Sequence, residues 1–211
     1  RMIQVHQSQA LEYAQDDQQI EEFWKPVLLS ICAEDVRPEN EGYRKIGKSL
    51  IFSTSFSNSI YSCIAHAREN ARMVRDQLSE ELWIELNNIY LFFQNGDATT
   101  EYDQGSDYLL DRIIRFSLVF QGLADATIPH SEGWRFLSLG KYLERADQTS
   151  RMLDTLNFKT KEPTRADLMS VLRCCTSLSA FRQQFRGNLS LQNVATFLLF
   201  SEDFPRSIRF C

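Results

Sequence analysis

The feature that most constrains the fold is a passage that occurs twice at a fixed spacing. Residues 50–63 read LIFSTSFSNSIYSC, and residues 198–211 read LLFSEDFPRSIRFC. At an offset of 148 residues, seven of the fourteen positions are identical without a gap. A fixed internal period indicates a duplicated structural unit, so we predict two related halves, at about residues 1–130 and 131–211. The first copy has no counterpart of residues 133–150, and the second copy stops where the first continues into a charged helix. We therefore expect the chain to be truncated at both ends.

The sequence predicts an all-α fold, an internally duplicated helical bundle that forms one domain over residues 1–211. Only 8 Gly and 5 Pro interrupt the 211 residues, and sustained alternation of period two is absent. The predicted connectors are Asn95-Gly96-Asp97, the stretch around Pro129, and Lys161-Glu162-Pro163. The predicted helices cover residues 1–14, 17–32, 40–53, 56–77, 79–94, 106–125, 132–157, 164–186 and 190–201.

Composition excludes several classes of protein. The formal net charge of −5 argues against non-specific nucleic-acid binding. The five cysteines form no Cys-x-x-Cys pair, so neither a disulfide framework nor a zinc site is indicated. No apolar run approaches the roughly 20 residues of a membrane helix, and no signal peptide is visible. We therefore expect a cytoplasmic protein with no membrane association and with free thiols.

The repeated passage reads as a helix end, a turn and a new helix start. Ser55 and Asp203 occupy equivalent positions, and either side chain can cap the following helix. One interpretation is a packing device, in which the shared apolar residues wedge the corner into the core. The other is that Ser59 and Ser207 face a shared pocket, with Arg206 beside them as a candidate ligand contact.

A dense run of charge follows the first copy. At 100° per residue, Arg68, Arg72 and Arg75 lie within about 60° of one another on a helix. Three guanidinium groups repel one another, so they need carboxylates or an anionic ligand. The candidate internal partners are Glu69, Asp76 and Glu144. The cluster is therefore either an ion-pair network between helices or a site for an anion or carboxylate. A neighbouring apolar stripe is predicted at Ile60, Ala67, Ala71, Val74 and Leu78.

A second charged helix carries Glu144-Arg145. These side chains point roughly 100° apart, so we expect each to contact a different neighbouring helix. Asp147 and Arg151 are spaced to pair locally. Two tryptophans near the charged helices, Trp83 and Trp134, either line a ligand groove or lie in the core. The apolar stripe predicted for this helix consists of Phe136, Leu139, Leu143, Ala146 and Leu153.

No catalytic or metal-binding residues can be assigned. The chain has no GxxxxGK[ST] loop and no GxGxxG turn. A di-iron bundle needs paired Glu-x-x-His motifs, and His6, His66 and His130 lack that spacing. A cysteine nucleophile needs a base, and no cysteine can be matched to a histidine from sequence alone.

Three blocks resemble the bacterial alpha-E family, all-helical domains named for a Glu-Arg motif. The blocks are residues 67–72 with 79–87, residues 133–146 containing Glu144-Arg145, and residues 204–208, Phe-Pro-Arg-Ser-Ile. Members of that family are longer at both ends, and Lys141 stands here where an arginine is expected. The resemblance implies association with a circularly permuted ATP-grasp ligase and a transglutaminase-like protein in systems that form or process peptide or amide bonds. ATP and Mg²⁺ would then enter only through the ATP-grasp partner.

We therefore expect an accessory or interaction module that is non-catalytic on its own. Its polar centre would gather both charged motifs and bind a carboxylate-bearing peptide or seat a partner. One alternative is an enzyme that transfers an aminoacyl or glutamyl group to a peptide. The other is a purely structural scaffold. The sequence does not indicate an oligomeric state.

Overall fold

A computed structural model describes residues 1–13, 17–33, 46–158 and 162–211, and within them all regular structure is helical. The prediction of an all-α fold is confirmed, whereas the duplication stays a prediction. A short 3₁₀ turn occupies Arg75–Gln77. The α-helices are α1 (Met2–Tyr13), α2 (Asp17–Ser30), α3 (Ile46–Phe52), α4 (Ile60–Met73), α5 (Glu80–Gln94), α6 (Asp97–Gln104), α7 (Ser106–Thr127), α8 (Glu132–Asp154), α9 (Arg165–Cys174), α10 (Leu178–Phe185) and α11 (Leu191–Phe200).

The chain divides into two compact units. The first unit comprises Arg1–Ile46 and Leu139–Cys211, and the second comprises Gly47–Ser138. These units are defined by contact, whereas the predicted halves are defined by repetition, so the prediction of halves stays open. Among the described helices, none combines the length and the apolar character that crossing a membrane requires.

The second unit is organised around α5. Its core positions Leu82, Leu86, Ile89 and Phe93 recur at helical spacing and are buried. Ser79 caps the helix by accepting a hydrogen bond from the Leu82 amide at 3.2 Å. α4 packs on α5, and α7 packs on both α5 and α6. This arrangement fixes which faces of α4 and α5 meet, and therefore positions the charged residues of α4.

The first unit has its largest cluster of buried residues around α9, α10 and α11. Leu172, Val194 and Leu198 are completely buried there, and Phe181 packs edge-on against Phe197 with ring centres 5.8 Å apart. Met152, on α8, belongs to the same cluster. The core therefore joins the C-terminal half of α8 to the three helices that follow it.

Both copies of the repeated passage form the same local structure. In each copy a helix ends at the phenylalanine, Phe52 or Phe200, and the chain turns. The buried Ser59 hydroxyl donates to the Ser53 carbonyl, and the buried Ser207 hydroxyl donates to the Ser201 carbonyl. Each hydroxyl also accepts from an amide three residues on, at 3.1 Å for Ser59 and 3.2 Å for Ser207. We call these structures the first and second corner.

The cap predicted for the corner was wrong. α4 begins at Ile60 and its N-cap is Ser59, whereas Ser55 lies in the exposed turn and contacts the Ser53 hydroxyl at 3.0 Å. The turn is longer than expected because the amide in the first turn of α4 bonds to the buried Ser59 hydroxyl and not to that of Ser55, which comes earlier in the chain. The predicted helix start at residue 40, and Lys161 of a predicted connector, lie outside the described residues.

Each predicted apolar stripe was only partly correct: Ala71 of α4 is buried and Leu153 of α8 packs against the core of the first unit, but other members of each stripe are exposed. On α4, Ala67 is exposed, whereas Ile64 and Ala71 are buried, with Arg68 between them on the same face. On α8, the predicted stripe residues Phe136, Leu139 and Leu143 are 65%, 53% and 62% exposed. The α8 positions that are buried in the first unit are Thr149 and Met152. Thr149 is accommodated because its hydroxyl donates to the Arg206 carbonyl at 2.8 Å.

Candidate functional site

In the second unit, α4 presents Arg68 to a polar and aromatic face of α5. Its Nε donates to the Asn87 Oδ1 at 2.7 Å, and its guanidinium carbon lies 4.5 Å from the centre of the Tyr90 ring. The same carbon is 5.9 Å from the Trp83 ring. Arg68 lies on the buried face of α4, and its charge there is stabilised by a hydrogen bond and by two π faces.

The neighbouring charges are also paired within this unit. Glu69 binds Arg68 at 3.2 Å and Arg72 at 3.0 Å, which confirms one of the predicted internal partners. Arg75 lies 5.4 Å from the Trp83 ring and donates to the Leu78 carbonyl at 3.2 Å. Each of the three guanidinium groups therefore has a protein partner.

The two candidate tryptophans are both half-buried beside charged groups. Trp83 lies near Arg68 and Arg75, as described above. Trp134 donates its indole N–H to the Asp125 Oδ1 at 3.2 Å and stacks on His130, with ring centres 4.1 Å apart. Both side chains therefore use their aromatic faces within the protein, and Trp134 also uses its indole N–H.

In the first unit, the Glu144-Arg145 motif of α8 lies against the second corner. The Arg145 Nη1 donates to the Pro205 carbonyl at 3.4 Å, and Thr149 binds the next carbonyl, that of Arg206. Two successive carbonyls of the corner are thus held by α8. The structure therefore brings together Glu144, Arg145, Arg206 and the buried Ser207, which the sequence patterns had selected separately.

Glu144 is electrostatically coupled to this corner. Partial burial raises the pKa of its carboxyl above the usual range, against the Arg206 and Arg145 guanidinium groups, which lower it. Asp147 adds a smaller raising effect. Asp147 itself pairs with Arg151 at 2.7 Å, as the spacing predicted. Arg206 forms no ion pair with any residue that the structure describes.

The predicted site residues thus fall into two groups. Arg68, Glu69, Arg72, Arg75 and Trp83 belong to the second unit, where they are neighbours. Glu144, Arg145, Arg206 and Ser207 belong to the first unit. The hypothesis of one polar centre that gathers both motifs concerns two separate units, and it stays a prediction.

Sequence reasoning missed the face of α5 that receives Arg68. Trp83, Asn87 and Tyr90 follow one another at spacings of four and three, which places them on one face of a helix. That face is next to the core positions Leu82, Leu86 and Ile89. A stripe of aromatic and amide side chains next to the apolar stripe of α5 could have predicted that a cation is buried against this face.

The thiols and possible metal ligands give no further site. Burial raises the pKa of Cys174 to about 12 and that of Cys175 to about 11, so both stay protonated at neutral pH. Among the residues the structure describes, no group of three or more His, Cys, Asp and Glu side chains is arranged to hold a metal ion.

Known proteins resemble this chain over most of its length, and the matching family is named for a Glu-Arg motif. The family model described as "Alpha-E: A predicted alpha-helical domain with a conserved ER motif" matches residues 1–211. The relatives include "Uncharacterized protein Mb2597" of Mycobacterium bovis and "Uncharacterized protein Rv2567" of Mycobacterium tuberculosis. Each is 26% identical over 144 residues, which are 65% of this chain and 16% of the relative. This chain therefore aligns with about a sixth of the length of those relatives. No solved structure matches the chain. Because the family model covers every residue, the chain belongs to the Alpha-E family.

Proposed function

We propose that this domain is a non-catalytic accessory module that binds a carboxylate-bearing peptide for a system forming or processing peptide or amide bonds. In this proposal the ligand contacts the second corner, where Glu144, Arg145 and Arg206 lie together. An ATP-grasp ligase supplies ATP and Mg²⁺ from a separate chain, and a transglutaminase-like protein is a second partner. Because ATP is a cytoplasmic substrate, we place the module in the cytoplasm.

The observation that carries the proposal is the availability of Arg206. A guanidinium group presents a planar fork of N–H donors that matches a carboxylate, and Arg206 has no carboxylate partner among the described residues. Its main chain is held by Thr149 at 2.8 Å and by the bonds of Ser207. The side chain therefore projects from a fixed backbone, which lowers the entropy lost when a ligand binds.

The neighbouring Glu144 supports this role. Partial burial raises the pKa of its carboxyl and the Arg206 guanidinium lowers it, so the two side chains are close enough to act on one ligand. When ionised, Glu144 would accept a hydrogen bond from an amide or ammonium group of the same peptide. One guanidinium and one carboxyl group side by side suit a ligand that carries both signs of charge.

The charged cluster of α4 favours the scaffold interpretation for its own residues. Arg68, Arg72 and Arg75 already have partners, and Arg68 is half-buried between α4 and α5. We therefore assign the α4 cluster to stability and the second corner to binding.

We further propose that the two corners descend from one duplicated unit. Seven identical positions in fourteen, together with hydroxyl bonds at matching positions, support a common origin. A corner that recurs with the same hydroxyl bonds is a stable way to turn the chain after a helix. In the second copy the turn has also placed an arginine, Arg206, where the first copy has Asn58.

Peptide binding is tested with a short glutamate-rich peptide that has a free C-terminus. Binding to the chain is measured by calorimetry, and Arg206→Gln is expected to weaken it about tenfold, since hydrogen bonds to charged groups contribute about 1.5–3 kcal/mol. The matched control is Arg209→Gln, because Arg209 is exposed on the same corner and pairs with Glu202 at 2.6 Å. Equal losses in both variants, or no binding to the unmodified chain, would overturn the proposal.

The accessory role is tested separately with the full-length protein. Peptide, amino acid, ATP and Mg²⁺ are incubated with the protein alone and then with an added ATP-grasp ligase. Product that forms only when the ligase is present, and faster with this protein than without it, supports an accessory role. Product formed by the protein alone would instead establish the aminoacyl or glutamyl transfer alternative.

A further inference from the structure

Three arginines that follow the Glu-Arg motif in the sequence, Arg165, Arg182 and Arg186, line a groove in the first unit. The groove has a volume of about 300 Å³ and is formed by α9, α10 and the turn after α10. We propose that it binds a small carboxylate that carries an apolar group. This volume lies at the lower end of the range of about 300–1,000 Å³ that small-molecule sites occupy.

The lining of the groove supplies an apolar surface. Met169 of α9, Leu178 and Phe181 of α10, and Leu189 of the following turn all contribute to it. Phe181 is completely buried and packs on Phe185 and Phe197, so the floor is part of the core. A floor fixed in this way provides a preformed surface on which an aliphatic or aromatic group can be buried.

The rim of the groove carries unpaired positive charge. Arg165, Arg182 and Arg186 line it, and none of them forms an ion pair or a side-chain hydrogen bond with a described residue. This differs from α4, where each arginine has a protein partner. Three exposed guanidinium groups around one groove repel one another, and an anion between them relieves that repulsion.

Helix dipoles alone do not explain this arrangement. Arg182 lies in the last turn of α10 and Arg186 is its C-cap, positions where the dipole favours a cation. Arg165, however, is the first residue of α9, where the dipole disfavours a cation. Arg165 and Met169 are also one turn apart on α9, so a charged and an apolar side chain face the groove together.

The backbone at Arg186 adds a second indication. Arg186 has φ 49° and ψ 33°, and Gly187 follows with φ 75°, so two successive residues are left-handed. A side chain in this conformation is unfavourable, and glycine or asparagine is usual at a helix end. The groove is therefore lined by an arginine whose own backbone is in an unfavourable conformation, as is found at binding sites.

The carboxylate has two chemical sources, a peptide C-terminus with an apolar last residue or a free fatty acid. Both place one negative charge next to an apolar group. We distinguish them with N-acetyl-L-phenylalanine and octanoate as probes, and use N-acetyl-L-phenylalanine amide as the uncharged control. Binding is followed by the amide signals of Gly187 and Leu189 in ¹⁵N-labelled protein.

Variants test the contribution of the rim. The double change Arg182→Ser with Arg186→Ser is expected to weaken carboxylate binding about tenfold, since each charge-assisted contact is strong for its size. Arg173→Ser is the matched control, because Arg173 is an exposed arginine in the last turn of α9 that does not line the groove. It is expected to change the affinity less than about twofold. Circular dichroism confirms that the variants remain folded.

The outcomes are decisive in both directions. Binding of either carboxylate but not of the amide, lost in the double variant and kept in Arg173→Ser, establishes the site. The probe that binds more tightly identifies the source of the carboxylate. Equal binding of acid and amide, equal losses in both variants, or no signal change with any probe overturns the proposal.

Discussion

The hydroxyl of Ser59 makes two bonds at the first corner, and it shares the acceptor of one of them with the hydroxyl of Ser62. It accepts from the Ser62 amide at 3.1 Å and donates to the Ser53 carbonyl. The Ser62 hydroxyl donates to the same carbonyl at 3.2 Å. The Ser53 carbonyl therefore has two side-chain donors, and removing one of them leaves the other in place. This redundancy predicts that changes at Ser59 and Ser62 are not additive.

The expected loss in the free energy of unfolding follows from the bonds that each variant removes. Ser59→Ala removes the N-cap of α4, which costs about 1 kcal/mol. Ser62→Ala removes one neutral hydrogen bond whose acceptor keeps a second donor, so it costs about 0.5 kcal/mol. The double variant also leaves the Ser53 carbonyl without either donor, and an unsatisfied group adds about 1–3 kcal/mol when buried. Because Ser53 is only half-buried, we expect the double variant to lose about 1 kcal/mol more than the two single losses combined.

The assay is urea unfolding followed by far-ultraviolet circular dichroism at 25 °C. Free energies of unfolding are compared for the wild type, both single variants and the double variant. Ser55→Ala is the control, since Ser55 is exposed and we expect a change within about 0.5 kcal/mol. If the double variant loses no more than the two single losses combined, within about 0.5 kcal/mol, then the two hydroxyls do not share the carbonyl and the reasoning fails.

Three further predictions concern charge and burial. Arg68→Ala should lower the free energy of unfolding by about 1–2 kcal/mol, because the Asn87 bond and the Tyr90 contact are lost. Arg72 is exposed, so Arg72→Ala should lower it by less than about 0.5 kcal/mol. Equal losses in the two variants would contradict this prediction. The raised pKa of Glu144 means that its stabilising contribution is complete below the usual carboxyl pKa and is lost as pH rises through the raised value. Glu144→Gln should therefore be more stable than the wild type at about pH 7 and equal to it at about pH 3, and a difference independent of pH would refute the shift. With pKa values near 12 and 11, Cys174 and Cys175 should resist a thiol reagent at pH 8 until the protein unfolds, and rapid labelling of either in the folded chain would show that they are accessible.

Helices whose apolar residues are concentrated on one face could be predicted from the sequence. The predicted helix at residues 79–94 agrees with α5 to within one residue, since Leu82, Leu86, Ile89 and Phe93 give a clear 3.6-residue period. α6 was missed because Ala98 is its only described buried residue, so no apolar stripe marks it. Its ends are marked by Gly96 and Gly105, and Gly96 was predicted to belong to the connector Asn95-Gly96-Asp97.

The break between α9 and α10 could not be found by propensity. Thr176 adopts φ 55°, which is rare for a β-branched residue, and Ser177 directs both its amide and its hydroxyl to the Leu172 carbonyl, at 2.8 Å and 2.9 Å. Neither glycine nor proline occurs here to signal the end of a helix. The tertiary packing of the completely buried Leu172 and Ser177 overrides local preference.

Around the candidate site, charge pairs within one helix could be predicted from the sequence, whereas contacts between elements could not. Periodicity correctly grouped Arg68, Arg72 and Arg75, and it correctly placed Asp147 one turn before Arg151. It could not show that Arg68 faces the core, because a long side chain can bury its stem while its charge finds an aromatic partner. Nor could it show that Arg145 binds a carbonyl of the second corner, since that contact spans 60 residues of sequence.

The division into two units affects the order of folding during synthesis, because the first unit is discontinuous in sequence and the second is continuous. Residues 1–46 leave the ribosome before the rest of this chain, yet the remainder of their unit begins only at Leu139. At about 5–20 residues per second, the buried side chains of Trp24, Val27 and Leu28 wait for roughly 5–20 seconds before that remainder begins to emerge. The second unit is continuous and can close its own core during that interval. Nascent chains should therefore gain protease resistance in residues 47–138 first, and a chaperone that binds apolar segments should engage α2 until synthesis reaches α9.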